Sequence, residues 1–280
     1  MSPSLRGRSR ILITGCSSGI GLDAARTLSA RGWDVYATCR REEDCASLRE
    51  EGLTSFRLDY ACEDSIAAAM AEVEARGGLD ALFNNGAFAI PGAVEDLPRG
   101  ALREIYEANL FGWHDLTTRV IPLMRAQGHG RIVNCSSILG FVPARWRGAY
   151  VSTKHALEGL TDVLRLEMAD TPIHVVLIQP GPIATEIRRK SRAPFERWID
   201  WESSARAGQY RDSLLGRLYD EPPVPAPGEC PPSAVTRVLI RALERPRPRP
   251  KYRVTWPTGA AWVLRRVLPV RLLDRACAAG

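Results

Sequence analysis

A doubly wound α/β domain, with a parallel sheet of about seven strands and helices on both faces, is the fold that this sequence predicts. Over the first 180 residues, apolar runs of strand length alternate with amphipathic stretches of helix length. Several of the strand-length runs contain consecutive Val, Ile or Leu residues, such as Ile11-Leu-Ile13 and Val175-Val-Leu-Ile178, as strands covered on both faces require. A glycine-rich turn directly follows the first run, which is where such a fold binds a ligand.

The elements follow one another in the order expected for crossover connections. Strands are expected at 10–14, 34–38, 55–58, 81–84, 131–135 and 174–178, with a seventh near 252–255. Helices are expected at about 20–31, 63–76, 99–126 and 149–170. The last helix has Leu157, Leu160, Leu164 and Met168 at spacings of three and four residues, which is the period of one helix face. No repeat divides the chain, so we expect a single domain.

The pattern breaks after Pro180. Residues 186–231 are rich in Arg, Trp and Ser and then in Pro, and a long excursion of this kind is typical of a lid or binding loop. Trp198 and Trp201 lie within it, either as ordinary packing or as aromatic residues over an apolar substrate pocket. We therefore expect a catalytic domain over 1–244 that includes this excursion, and a carboxyl-terminal extension over 245–280.

The basic charge of the chain lies in that extension. The whole chain has net charge +6, but residues 245–280 contain nine Lys and Arg against one acid, so they carry +8 and residues 1–244 carry −2. A slightly acidic body is not typical of a nucleic-acid-binding domain, so no nucleic-acid partner is expected. Residues 256–279 mix apolar side chains with arginines, as an interfacial helix does, and Pro269 would kink or stop that helix. The extension is expected to pack on its own domain, on a neighbouring subunit or peripherally on a membrane surface.

The seven cysteines are odd in number and form no C-x-x-C pair, and the four histidines form no set with ligand spacing. Neither a disulfide framework nor a metal site is expected. The chain contains no apolar run of about 18 residues, and its first residues lack the apolar stretch of a signal peptide. These features favour the reducing cytoplasm.

The first predicted strand is followed by the sequence Thr14-Gly-Cys-Ser-Ser-Gly-Ile-Gly21. Glycine lets the backbone turn sharply and approach a ligand, and the N–H groups at the start of the next helix attract a pyrophosphate. The turn therefore indicates a dinucleotide site, although a purely structural turn is the alternative, and the first two glycines lie four residues apart rather than two. The candidate residues in this turn are Gly15, Ser17, Ser18, Gly19, Ile20 and Gly21.

The choice of dinucleotide is expected at the end of the second strand. Cys39 occupies the position where an acid would accept the ribose 2′-hydroxyl, and Arg40 and Arg41 follow it. A guanidinium binds phosphate in a forked geometry, so NADP(H) is favoured over NAD(H). The alternative is that the two arginines are only a solvated charged pair.

Tyr150 and Lys154 lie four residues apart on the 149–170 helix, so their side chains share a face. A phenol is a poor acid or base near neutral pH, and a neighbouring ammonium is expected to lower its pKa towards the working range. A predicted strand ends at Ser136 and Ser137, and its carboxyl end faces the same crevice. Ser137 lies thirteen residues before Tyr150. A seryl hydroxyl there can bind a substrate carbonyl oxygen, or it can simply cap the next turn.

Together these motifs resemble the short-chain dehydrogenases/reductases in their single-domain form. The match runs through Thr14-x-x-x-Gly-x-Gly21, Asp59, Asn84-Asn-Gly-Ala87, Asn109, Ser137, Tyr150-x-x-x-Lys154 and Pro180-Gly-Pro-Ile-Ala-Thr185. The chain is similar to the branch that contains retinol dehydrogenases, 17β-hydroxysteroid dehydrogenases and bacterial NADP-dependent aldehyde reductases. One departure is Gly86-Ala87, where the family usually has Ala-Gly.

The resemblance implies a Rossmann-type fold and a role for each matching residue. Tyr150 would be the general acid/base, Ser137 rather than Ser136 the catalytic serine, and Lys154 the residue that lowers the pKa of Tyr150 and binds the nicotinamide ribose. Asn109 would hold a water that links Lys154 to solvent. The other implied cofactor contacts are Asp59 with Cys62 or its neighbours at the adenine, Asn85, Gly86, Pro180, Gly181, and Ile183 with Thr185 at the carboxamide.

We therefore expect NADPH-dependent reduction of an aldehyde or ketone, or the reverse oxidation of an alcohol, on a hydrophobic substrate. The resemblance also implies a homodimer or homotetramer through the 99–126 and 149–170 helices. Two rival functions stay open at this point. One is a catalytically silent dinucleotide-binding sensor, and the other is a membrane-surface scaffold acting through the basic tail.

Overall fold

The computed structural model describes residues 8–221 and 224–278 of the chain. The expectations that concern residues 1–7, Pro222 and Pro223 of the proline-rich stretch, and the last two residues fall outside this part. A seven-stranded, all-parallel sheet confirms the predicted fold class. Its strands are β1 (Arg10–Thr14), β2 (Asp34–Cys39), β3 (Thr54–Arg57), β4 (Ala81–Asn84), β5 (Gly130–Cys135), β6 (Ile173–Gln179) and β7 (Lys251–Arg253). Every predicted strand is present, with ends within two residues of those expected.

The strands are ordered β3-β2-β1-β4-β5-β6-β7, so the chain moves outward from β1 in both directions. In such a sheet a crevice opens at the carboxyl ends of the strands, where the order reverses between β1 and β4. Ile13 pairs with Ala37 on β2 and with Phe83 on β4, and all three side chains are fully buried. This central register fixes the position of the glycine turn that follows β1.

Helices connect the strands. They are α1 (Gly19–Ala30), α2 (Glu42–Glu50), α3 (Glu63–Ala75), α4 (Arg99–Tyr106), α5 (Gly112–Gln127), α6 (Gly148–Glu167), α7 (Ile187–Lys190), α8 (Arg192–Trp198), α9 (Ala207–Gln209), α10 (Gly216–Tyr219), α11 (Ser233–Glu244), α12 (Trp256–Val267) and α13 (Val270–Ala278). Among the flanking helices, α1 packs on α11 and α3 packs on α5. The sequence prediction included α1, α3 and α6 but not α2 or α11.

The predicted helix over 99–126 is divided by a π-helical turn. The segment Glu107–Phe111 joins α4 to α5 without a break in the helical path. A π turn inserts an extra residue into the helix, and such turns are frequent at functional sites. Asn109 lies at the centre of this one, so the irregularity is placed at a predicted site residue.

The excursion over 186–231 folds back over the carboxyl end of the sheet as short helices, α7 to α10. With α4 and the start of α6 it forms a second apolar cluster, separate from the main core. Its buried members are Ile90, Ala93, Ala101, Ile105, Ala149, Phe195, Ile199, Tyr210, Leu214 and Leu218. Tyr150, Trp198 and Trp201 pack against this second cluster as partly buried side chains. Trp198 also donates a hydrogen bond from Nε1 to Glu104 at 2.8 Å, which shows that it packs on α4.

The carboxyl-terminal extension first adds strand β7 to the sheet and then forms helices α12 and α13. After β7, helix α12 is anchored by buried Thr258, whose hydroxyl lies 3.0 Å from that of Thr255. Helix α12 ends at Val267 and α13 starts at Val270, so Pro269 separates two helices as predicted. Within residues 8–221 and 224–278, no helix combines the length and the apolarity needed to cross a bilayer.

Candidate active site

The glycine turn after β1 is built around two close backbone contacts. Gly15 has φ +70°, and a Cβ placed on it would lie 2.6 Å from the Cα of Gly86. A Cβ on Gly21 would lie 2.3 Å from the carbonyl oxygen of Gly15. Only glycine fits at these positions, and the tight turn brings the first N–H groups of α1 to the crevice. This cradle of backbone donors fits a dinucleotide pyrophosphate.

Other residues of the turn have separate environments. Ile20 packs against the main core, so only its backbone can face a ligand. Thr185 lies over Gly19, since a Cβ on Gly19 would be 3.1 Å from Cγ2 of Thr185. Ser17 and Ser18 both accept hydrogen bonds from a residue of the excursion, Lys190.

The segment after β4 holds the glycine turn in place. The hydroxyl oxygen Oγ1 of Thr14 accepts hydrogen bonds from the backbone N–H of Asn85 at 2.9 Å and of Gly86 at 3.1 Å. The side-chain amide of Asn85 donates to the carbonyl of Thr14 at 3.0 Å. A Cβ on Gly86 would lie 3.3 Å from the Cα of Gly15, so the alanine that the family usually has at this position would fit only tightly.

The end of β2 presents one arginine without an ion-pair partner. Cys39 is buried, and Arg41 forms a two-point ion pair with Asp44, with both N–O distances 3.0 Å. Arg40 is exposed, and its guanidinium has no ion pair with any residue in the described ranges 8–221 and 224–278. After β3, the carboxylate of Asp59 accepts the backbone N–H of Ala61 at 3.1 Å, so it shapes the turn into α3.

Tyr150, Ser137 and Lys154 converge at the carboxyl ends of β5 and β6. The hydroxyl of Ser137 hydrogen-bonds the phenol of Tyr150 and also accepts the backbone N–H of Leu139 at 3.1 Å. Ser136 instead turns into the protein, where its hydroxyl is buried without a partner among the described residues. Nζ of Lys154 lies 5.6 Å from the centre of the Tyr150 ring. The structure therefore brings the three predicted side chains together, with Ser137 rather than Ser136 facing Tyr150.

Lys154 is almost completely buried, with 1% of its surface exposed. Its ammonium donates to the carbonyl of Cys135 at 2.9 Å and lies 4.2 Å from the ring centre of Trp113. Burial lowers its pKa to about 8, against smaller opposing effects of Cys135 and Glu158. At neutral pH the ammonium is charged, and it loses this charge just above the physiological range.

The pKa of Tyr150 differs from the expectation that Lys154 would lower it. Burial raises the pKa of this phenol well above its ordinary value, and only Arg147 and the hydrogen bond from Ser137 oppose the effect. The physical reason is desolvation of the buried phenol, with a smaller effect of Cys135 in the same direction. At neutral pH the phenol keeps its proton beside a charged ammonium.

Asn109 is fully buried in the π-helical turn, and its side-chain amide is hydrogen-bonded to the backbone of Phe88. Its amide donates to the carbonyl of Phe88 at 2.8 Å and accepts the N–H of Phe88 at 3.1 Å. The amide nitrogen also lies 3.5 Å from the hydroxyl of Thr153, next to Lys154. The side chain thus braces the wall of the site beside Lys154.

The segment after β6 forms the other wall. The carbonyl of Pro180 accepts the N–H of Ile138 at 2.6 Å, which ties this segment to the loop of Ser137. A Cβ on Gly181 would collide with the hydroxyl of Thr255 at 2.1 Å. Ile183 forms an isolated parallel bridge with Cys230, which fixes the start of the excursion beside the glycine turn.

Sequence reasoning missed two residues of this site. Trp113 stacks on Lys154 and donates from Nε1 to the carbonyl of Gly86 at 2.8 Å. Its position four residues after Asn109 on a helix was a usable signal. Lys190 lies in the excursion, whose sequence has no periodic pattern from which its position could be predicted. Among the residues that the structure describes, no group of three or more His, Cys, Asp or Glu side chains could hold a metal ion.

Comparisons with known proteins agree with this geometry. Residues 9–195 match a family model described as "short chain dehydrogenase". The Escherichia coli K12 "Uncharacterized oxidoreductase YbbO" is 35% identical over 95% of this chain and 92% of its own length. Human "Retinol dehydrogenase 16" is 31% identical over 94% of this chain and 86% of its own length. A solved short-chain dehydrogenase from Streptomyces avermitilis superposes with a TM-score of 0.77 at 26% identity, covering 92% of each chain.

Proposed function

The chain belongs to the short-chain dehydrogenase/reductase family of NAD(P)-dependent oxidoreductases, and we propose that it reduces the carbonyl group of a hydrophobic aldehyde or ketone with NADPH. The reverse oxidation of an alcohol would use the same residues. The observation that carries the proposal is the convergence of Ser137, Tyr150 and Lys154 beside the glycine turn.

In the proposed mechanism, Ser137 and Tyr150 together bind the substrate carbonyl oxygen by donating hydrogen bonds to it. The protonated phenol then transfers its proton to this oxygen as negative charge grows there. The charged ammonium of Lys154 stabilises the phenolate that this transfer leaves. A bound nicotinamide supplies the hydride that goes to the carbonyl carbon. The raised pKa of Tyr150 suits this direction, because the phenol stays protonated until substrate arrives.

The dinucleotide would be held by the residues that line the crevice from β2 to β6. The turn Gly15–Gly21 would bind the pyrophosphate, and Lys154 and Tyr150 would contact the nicotinamide ribose. Asp59, Asn85 and Gly86 would border the adenine side. Pro180, Gly181, Ile183 and Thr185 would orient the carboxamide. The backbone of Asn109 would hold the water that relays protons between Lys154 and solvent.

NADPH rather than NADH is proposed as the preferred cofactor because of Arg40. Replacing this exposed guanidinium in Arg40→Asp should lower the ratio of NADPH affinity to NADH affinity by about 10-fold or more, since a charged hydrogen bond to phosphate is lost and a repulsive charge is added. Titrating each cofactor and comparing the two dissociation constants checks this. Arg76→Asp, which changes the same charge at an arginine paired with Glu72, should leave the ratio unchanged. An unchanged ratio in Arg40→Asp would contradict the assignment.

A hydrophobic substrate is proposed from the surroundings of Tyr150. Its ring packs against the second cluster, where Phe88 and Trp146 are also partly buried. Such an apolar wall suits a lipid-like, retinoid-like or steroid-like carbonyl compound. The similarity to a retinol dehydrogenase agrees with this substrate class.

A panel of medium-chain aldehydes, ketones and retinoids, followed by loss of NADPH absorbance, tests the proposed reaction. Turnover of any member supports the enzyme. Cofactor binding without turnover across the whole panel would favour the silent sensor instead.

We also propose that the protein is a cytoplasmic homodimer or homotetramer assembled through α5 and α6. Leu160, Val163 and Leu166 lie exposed at three-residue intervals along α6, so they form an apolar strip on this helix.

A second proposal is that the extension contacts membrane surfaces peripherally. On α12 and α13, Val267 and Val270 are 66% and 72% exposed, close to Arg265, Arg266 and Arg271.

The membrane proposal predicts that the wild-type protein floats with vesicles of phosphatidylcholine and phosphatidylserine, and less with phosphatidylcholine alone. The double variant Val267→Glu, Val270→Glu should lose most of this binding. Two apolar side chains that contact the lipid are replaced by negative charges, which the negatively charged phosphatidylserine repels. Val94→Glu changes a similarly exposed valine outside the extension and should float normally. Equal flotation of all three proteins would refute a role for the extension.

A further inference from the structure

Lys190 links the excursion to the glycine turn. It is the last residue of the short helix α7, and its ammonium donates to the hydroxyl of Ser17 at 3.1 Å and of Ser18 at 2.8 Å. Both serines belong to the turn between β1 and α1 that is proposed to bind the dinucleotide. A side chain of the substrate-side excursion is therefore in direct contact with the cofactor-side turn.

The two serines are arranged as donors towards a ligand. Ser18 occupies the N-cap position of α1, but its side chain forms no capping hydrogen bond. Serine at this position usually accepts a backbone N–H of the first turn. Here both hydroxyl oxygens accept from Lys190, so each hydroxyl keeps its own hydrogen for another acceptor, and the ammonium keeps a third N–H. The result is a group with three donor hydrogens available to a ligand.

The charge of Lys190 is not neutralised by a carboxylate in contact with it. Within residues 8–221 and 224–278, no Asp or Glu side chain forms an ion pair with its ammonium. Asp44 and Glu186 act on it from a longer range, and Arg41 and Arg189 oppose them. A cation beside two hydroxyl donors has the chemistry of a phosphate site.

The position of α7 explains how this cation is delivered. The backbone N–H of Ala184 donates to the carbonyl of Cys230 at 2.9 Å, and Thr185 packs over Gly19. These contacts hold the base of the excursion at the turn, five or six residues before Lys190. Beyond that base, the hydrogen bonds of Lys190 to the two serines join the end of α7 to the turn.

We propose that Lys190 binds a phosphate group of the dinucleotide and thereby fastens the excursion over the bound cofactor. This inference rests on the proposed dinucleotide function and extends it, since it assigns a cofactor contact to the segment that also forms the substrate side of the site. The phosphate is either the ribose 2′-phosphate of NADPH or the pyrophosphate shared by both cofactors.

The test is equilibrium binding of NADPH and of NADH to wild type and to Lys190→Gln, which keeps the side chain polar but removes its charge. Loss of one charged hydrogen bond should weaken binding about 10-fold. Weakening of NADPH alone identifies the 2′-phosphate, and equal weakening of both cofactors identifies the pyrophosphate. Lys190→Arg should recover much of the affinity. Arg189→Gln, on the same helix but paired with Glu186, is the matched control and should bind as wild type does.

Hydrogen exchange of α7 and α8 gives a second readout that does not depend on turnover. Cofactor should protect these amides in the wild type and in Arg189→Gln but much less in Lys190→Gln. The inference about Lys190 would be overturned, with the proposed function left standing, if Lys190→Gln bound both cofactors as wild type does. An equal loss of cofactor affinity in Arg189→Gln would have the same consequence. If the wild type bound neither dinucleotide, the proposed function would fall and the inference with it.

Discussion

Tyr150→Phe should lower the rate of carbonyl reduction by about 10²- to 10⁴-fold, the range that a positioned general acid contributes. The substitution removes only the hydroxyl that hydrogen-bonds Ser137 and is proposed to donate the proton. The ring and its packing against the second cluster remain, so the fold should change little, and the affinity for NADPH should fall far less than the rate because only one proposed ribose contact is lost. Steady-state rates and a direct NADPH titration measure the two effects separately.

Tyr106→Phe is the matched control for this variant. Tyr106 also packs against the second cluster, but its hydroxyl forms no hydrogen bond within the described part of the chain. Turnover of the control should equal that of the wild type. Normal turnover by Tyr150→Phe would remove the phenol from the mechanism, whereas loss of NADPH binding in that variant would indicate a structural role.

Lys154→Met should lower turnover by about 10²-fold at pH 7. Nζ lies 5.6 Å from the Tyr150 ring centre. At an effective dielectric constant of about 20, a charge at that distance stabilises a phenolate by about 3 kcal/mol, which corresponds to about 10² in rate. The variant should also bind NADPH more weakly, because the proposed contact to the ribose is lost. Rates with saturating cofactor separate the two effects.

The same variant has a predicted signature in stability. The pKa of Lys154 is lowered to about 8 in the folded protein, so above that pH the folded chain releases a proton that the unfolded chain still holds. The free energy of unfolding of the wild type should therefore rise, relative to that of Lys154→Met, as the pH increases from 8 towards the ordinary lysine value. Between pH 8 and pH 9.5 the relative gain should be about 2 kcal/mol, from about 1.4 kcal/mol per pH unit.

Urea unfolding of the cofactor-free proteins at pH 7, 8 and 9.5 measures this difference. His155→Gln is the control, since His155 is exposed on another face of α6 and its ring bonds the carbonyl of Val151. A pH-independent difference between wild type and Lys154→Met would show that the lysine is not desolvated in the folded state.

The central sheet could be predicted from the sequence because each strand carries its own signal. Strand β1 contains the run Ile11-Leu-Ile13 and β6 contains the run Val175-Val-Leu-Ile178, and burial on both faces requires nothing more specific than such apolar side chains. The order of the motifs then placed the glycine turn and the ends of β2 and β5 at one edge. Each of these segments is recognised from a local pattern, and the parallel sheet then brings the segments together at its carboxyl edge.

Elements that depend on longer-range packing were not predictable in the same way. The π-helical turn at Asn109 leaves the apolar spacing of its helix almost unchanged, so only the coordinates reveal it. Helix α2 buries just Cys45 and Leu48, which is too little for a clear period. Helix α11 does bury Val235, Val238, Leu239 and Ala242 at helical spacing, but it directly follows a proline-rich stretch, and no helix is predicted there from the sequence.

The candidate site shows the same division. Tyr150, Lys154 and Ser137 were predictable from spacing, because a helix and a strand end fix where their side chains go. The direction of the Tyr150 pKa shift was not, since it depends on how deeply the folded chain buries the phenol. Lys190 reaches the glycine turn from a segment more than 170 residues later, and no local pattern indicates that contact.

Transfer of deuterium from NADPH labelled at the nicotinamide C4 position to a hydrophobic aldehyde tests the central claim most directly. Mass spectrometry of the alcohol should find the label on the carbinol carbon after incubation with the wild-type protein, and at background with Tyr150→Phe. If wild type bound NADPH and the aldehyde but left the alcohol unformed and unlabelled, or if Tyr150→Phe transferred the label at the same rate, the proposed chemistry at Tyr150 would be wrong.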